Sequence, residues 1–115
     1  MSQRLLAAVL VAALDPSWHA IAATHPAAAL SGKALVISAS VELPSPCYEA
    51  TIVPRSARNS YEVLVRLKPQ DVHMMCATVI VPEIVHATFV VRTAPSAIWL
   101  RAADRVFRVT VRRGT

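Results

Sequence analysis

The sequence predicts an all-β domain: an antiparallel β-sandwich of about seven short strands. Three observations lead there. From Lys33 onward apolar and polar residues mostly alternate, the two-residue period of a half-buried strand. Turn-forming stretches interrupt the alternation roughly every ten residues. After the first twenty or so residues, no segment carries a helical period. Glycine is scarce, with two in 115 residues, so the eight prolines provide the punctuation. The length allows one domain.

Each element has its own signal. In "KALVISASVEL", Leu35, Ile37, Ala39, Val41 and Leu43 share one face, and Ser38, Ser40 and Glu42 share the other. Pro44 and Pro46 end that strand. "YEATIV", Tyr48 to Val53, is the second, closed by Pro54 and the polar turn "RSARN". "YEVLVRLK" sets Tyr61, Val63, Val65 and Leu67 against Glu62, Arg66 and Lys68, and "PQD" breaks it. "CATVIV", Cys76 to Val81, is rich in β-branched residues and too short for a helix. Pro82-Glu83 separates it from "IVHATFVVR", where Val85, Ala87, Phe89 and Val91 alternate with His86, Thr88 and Arg92. "IWLR" is short, the pattern of an edge strand. "RVFRVTVRR" closes the chain with Phe107, Val109 and Val111 inward, and Arg108, Thr110 and Arg112 outward.

The N-terminus has a different character. Arg4 precedes an apolar run, Leu5 to Leu14, then the breaker pair Asp15-Pro16, then the small-x-small pattern Ala20-Ile21-Ala22. This layout predicts a secretory signal peptide over residues 1–22, and hence a secreted or periplasmic protein. The run is too short to span a bilayer, which needs about 20 residues, so no membrane span is expected after cleavage. Residues 23–32 are small and mostly apolar and read as a flexible leader; residues 33–115 form the domain. Cleavage would remove one arginine and one aspartate, so the net charge of +5 is unchanged.

Cys47 and Cys76 each stand at the head of an apolar run, 29 positions apart. They could be a structural staple, a redox pair or half of a metal site. The spacing lacks the C-x-x-C signature of a redox motif. An oxidising compartment and a count of two favour a single Cys47–Cys76 disulfide. Closing a loop of that size stabilises by roughly 3–4 kcal/mol in the chain-entropy model, a large share for a small domain. Tyr48, Ala50 and Ile52 share a parity that Cys47 lacks, so Cys47 belongs to the preceding loop or to the outward face.

"PCYEATIV", "YEVLVRL", "CATVIVP" and the terminal "FRVTV", taken together, resemble a group of small secreted bacterial domains of unknown function. The resemblance covers Ser45 to Val111. It implies an immunoglobulin-like β-sandwich with one disulfide and brings no catalytic residue with it. "RAADRV" stands where that group would carry a Pro-Gly turn, which is a departure from its pattern.

Two clusters have chemical potential. "DVHMMC" gathers His73, Met74 and Met75 beside Cys76, ligand types that suit copper. Adjacent strand residues point to opposite faces, and a disulfide would remove Cys76 as a thiolate, so no cofactor is expected. The second cluster is Arg101, Arg105, Arg108, Arg112 and Arg113. These arginines form either an anion- or partner-binding face, with Arg66 and Lys68 nearby, or a solvated edge strand kept from aggregating by charge. Trp99 and Tyr48 are candidate partner anchors. The acidic residues show no paired arrangement, and there is no G-x-S-x-G elbow or glycine-rich phosphate loop. The sequence therefore predicts a non-enzymatic module that binds a protein or an envelope component, with a periplasmic copper-handling role as the alternative. Nucleic acid is not an expected partner.

Overall fold

The computed structural model describes residues 16–71 and 74–114. Eight strands occur in it: β1 (His19–Ala20), β2 (Thr24–Ser31), β3 (Ala34–Leu43), β4 (Tyr48–Pro54), β5 (Ser60–Leu67), β6 (Val81–Val90), β7 (Ala97–Ala102) and β8 (Arg105–Arg113). A single 3₁₀ turn, Pro69–Asp71, comes after β5. The expected all-β class holds, and the strands form one curled, mixed sheet. β4 covers one side of β5, while β1 and β7 share the other; the order then runs β7-β8-β2-β3-β6.

β8 makes the curl. Its first six residues pair antiparallel with β7, and Val111 to Arg113 pair in parallel with β2. A second parallel pair joins β5 to β7. These two pairings depart from the purely antiparallel expectation, because alternation identifies a strand without fixing its neighbours. Leu35, Ile37, Val63, Ile98 and Leu100 are fully enclosed within the curl. Removing each such side chain from water stabilises by about 1.5–3 kcal/mol. Tyr61 and Phe89 meet across the core with ring centroids 4.8 Å apart.

The leader expected at residues 23–32 is instead structural. Thr24–Ser31 is a full strand between β3 and β8, with Ala28 and Leu30 buried. Gly32, at φ 61°, permits the tight reversal that pairs Ser31 with Ala34. The apolar run Leu5–Leu14 and Asp15 lie outside the described residues. The rest of the expected signal segment belongs to the fold: His19 and Ala20 pair with Val65 and Leu64, and the adjoining Ala23 is buried.

A second correction concerns "CATVIV". The chain from Ala77 to Ile80 is exposed and irregular, and one strand runs from Val81 through Pro82 to Val90. The ladder explains why the proline is tolerated. The Val91 N–H donates to the Lys33 carbonyl at 2.9 Å, so odd-numbered residues of β6 bond to β3 and even-numbered ones face away. Pro82 occupies an outward position, where a missing N–H breaks no bond. Pro54 occupies the equivalent position on β4, since Arg55 N–H bonds the Ser60 carbonyl on the inner side.

Cys47 and Cys76 are joined in a disulfide, with Cα atoms 6.0 Å apart. Cys47 lies in the loop before β4, which resolves its parity. There Ser45 is buried and organises the turn: its Oγ accepts the Cys47 N–H at 3.2 Å and its carbonyl accepts the Tyr48 N–H at 3.2 Å. The bridge ties the segments leading into β4 and β6, the two ends of the curl.

Candidate functional site

The site begins with alternation on β7 and β8. Ile98, Leu100 and Ala102 turn into the core, which leaves Ala97, Trp99 and Arg101 on the outer face. On β8, Val109 and Val111 are buried, so Val106, Arg108, Thr110 and Arg112 face outward. The register then fixes neighbours. Trp99 lies directly opposite Arg108, and Arg101 opposite Val106. Directly opposed side chains start about 4.5–5.5 Å apart and diagonal ones about 7–8 Å apart. Trp99 is therefore flanked by Arg108 across the ladder and by Arg101 two residues along its own strand. The indole is 45% exposed.

Three of the five clustered arginines share this face: Arg101, Arg108 and Arg112. The other two do not join them. Arg105 opens β8 with the opposite parity and lies over the Phe107 ring at 4.9 Å; Arg113 is the last residue of the strand. Arg66 is engaged elsewhere. Its Nε donates to Glu49 Oε2 at 2.7 Å, and its guanidinium sits 4.3 Å above the Trp18 ring. On β5, Glu62 is in register with Arg101 but is held by Arg55 at 2.6 Å. Among the described residues these are the two ion pairs, so the arginines of β7 and β8 have no carboxylate partner there.

A hollow of about 180 Å³ adjoins Trp99, lined also by Arg55, Arg101, Tyr61 and Val106. Burial raises the Tyr61 pKa above its ordinary 10.0, so the phenol stays neutral and able to donate a hydrogen bond. Cationic forks around an exposed indole and a small recess form an arrangement suited to oxyanions on an otherwise apolar or sugar-like surface.

The topology divides the arginines between a half-paired and a fully paired stretch of β8. β8 lies between β7 and β2 in the strand order, but β2 pairs only with Val111 to Arg113, so Arg105 to Thr110 have a ladder on the β7 side alone. The Trp99 N–H turns to Asn59, so Trp99 and Arg108 form a non-hydrogen-bonded pair and the Arg108 backbone groups point to the unpaired side, whereas Arg112 lies in the stretch paired with β2.

The other candidates do not assemble into a site. His73 lies outside the described residues; Met74 and Met75 are exposed, and Cys76 is spent in the disulfide. Among the described residues no group of three or more His, Cys, Asp or Glu side chains could hold a metal. Tyr48 is half-buried against the core. Trp18, which sequence reasoning assigned to a removed segment, is the residue it missed; only the β1–β5 pairing places it beside Arg66. No helix among the described residues is long and apolar enough to cross a membrane. No protein-family model, curated protein or solved structure matches the chain.

Proposed function

We propose that the protein is a secreted or periplasmic, non-enzymatic binding module. On this reading it holds an anionic envelope component or an acidic protein surface on the outer face of β7 and β8. The observation that carries it is the placement of Trp99, Arg101, Arg108 and Arg112 on one outer face of β7 and β8, where the guanidinium groups meet no carboxylate among the described residues. The charge distribution agrees. The net charge of +5 equals the five arginines from Arg101 to Arg113, while the other seven cationic residues match the seven acidic ones. The disulfide supports an oxidising compartment. It also supports an immunoglobulin-like reading of the scaffold, against which the two parallel pairings count.

One exposed guanidinium–anion contact contributes only about 0.2–1 kcal/mol, so the face works through several at once. The test compares two charge reversals of equal size on an anionic matrix in about 0.1 M salt. Arg101→Glu with Arg108→Glu is expected to lower affinity at least tenfold. Arg105→Glu with Arg113→Glu, which alters the same net charge off the face, is expected to do far less. Equal losses would reduce the effect to net charge and refute a specific face.

A further inference from the structure

β6 is the last strand of the curled sheet, and β3 is its one hydrogen-bonded neighbour among the described residues. Because its odd-numbered residues serve β3, Ile84, His86, Thr88 and Val90 direct both N–H and C=O toward the edge that no described strand pairs, β4 lying near β6 without a ladder. The same four side chains lie on the exposed outer face, with Ile84 67% and Val90 85% accessible. The usual protections of an open edge are missing here. The ten-residue register with β3 has no bulge, the strand carries no lysine or arginine, and its single proline lies at one end.

We propose that this edge docks a second copy of the chain, whose β6 adds antiparallel about a two-fold axis at Ala87. The strand's own sequence selects that register. With Ala87 on the axis, Ile84 opposes the partner copy's Val90, and His86 opposes its Thr88. All four outward N–H groups and all four carbonyls are then used, and the two most exposed apolar side chains of the strand cover each other twice. An axis at His86 would set Pro82, which cannot donate, opposite Val90 inside the strand, whereas the axis at Ala87 sets it opposite Arg92, past the strand's end. An axis at Thr88 would set Ile84 against a partner arginine.

Charge complementarity supports the same register. It brings Arg92 of each copy, in the bend two residues past the end of β6, to the level of Pro82 of the other, and Pro82 is in register with Glu42 on β3. An open groove of about 820 Å³ lies there, lined by Ser40, Glu42, Pro82 and Ile84 and by the chain from Ile21 to His25. Two strand spacings, roughly 10 Å, separate the Glu42 backbone from that of the incoming Arg92. The arginine stem would lie along the groove over Pro82, and its guanidinium would reach the Glu42 carboxylate. Arg92 is exposed, and neither residue belongs to an ion pair among the described residues. No like charges oppose one another in this register. A single added strand pair is a small interface, so the dimer is a reversible, concentration-dependent one. The proposal does not depend on the arginine face, which lies on β7 and β8, so either can fail without the other.

Sedimentation equilibrium of the purified, oxidised protein tests it. The wild type is expected to show a monomer–dimer equilibrium at sub-millimolar concentration. Arg92→Glu should weaken dimerisation at least tenfold, and adding Glu42→Arg should restore it. Thr88→Pro should abolish it while the far-ultraviolet spectrum stays unchanged, because the Thr88 N–H takes no part in the β3 ladder. A wild type that remains monomeric to about 1 mM overturns the proposal. So does an Arg92→Glu variant that dimerises like the wild type, or a double variant that fails to recover.

Discussion

Cys47 carries much of what a single residue decides in this chain. It sits in a loop, not on a strand, and Ser45 shapes that loop by accepting its N–H. The bridge to Cys76 closes a 29-residue separation. Replacing both cysteines by alanine is therefore expected to lower the unfolding free energy by about 3 kcal/mol, read as a reduced denaturant midpoint at similar slope. An unchanged midpoint would show that the loop is fixed without the bridge. The pairing was legible from the count of cysteines and the compartment that the N-terminus predicts. The parity of Cys47 was not, because Ser45 and its turn have no periodicity to read. Trp99 shows a similar limit: its exposure follows from alternation, but Arg108 becomes its neighbour only through the β7–β8 register.

At the scale of elements, alternation located β3, β4, β5 and β8 within a residue or two of their observed ends. It misread β2 because a run of small residues has a weak apolar contrast, and Ala28 and Leu30 are buried all the same. It divided β6 at Pro82, since a proline in sequence does not reveal which edge its nitrogen faces. The β7–β8 hairpin carries a local conflict. Its two-residue turn opens with Ala103 at φ 56°, a conformation that favours glycine. Ala103→Gly is expected to stabilise the protein by about 0.5–1 kcal/mol, measured as a raised melting temperature. A lowered melting temperature would mean that the alanine methyl group makes a compensating contact. The turn lies beside the arginine face, so the variant also separates hairpin stability from binding.

At the scale of the whole molecule, the curl gives the chain two distinct outer surfaces. One, on β7 and β8, carries cationic groups around Trp99 on two strands joined by a six-residue antiparallel ladder. The other ends at β6, nearly uncharged and with an open ladder. The sequence shows both compositions but not their roles, because strand order decides which strand is interior and which is an edge. The last strand, expected either as a binding face or as a charged edge, pairs with β7 along its first six residues and with β2 along its last three, and an apolar strand forms the end of the sheet. The central claim is that β7 and β8 present a specific anion-binding face. Its most direct test is a two-dimensional ¹H–¹⁵N NMR titration with a short sulfated oligosaccharide, repeated at high salt. The shifts are expected at the Trp99 indole N–H and at backbone amides from Trp99 to Arg101 and Val106 to Arg112, and salt should reverse them. Shifts spread evenly over all exposed cationic residues, or absent from Trp99, would contradict it.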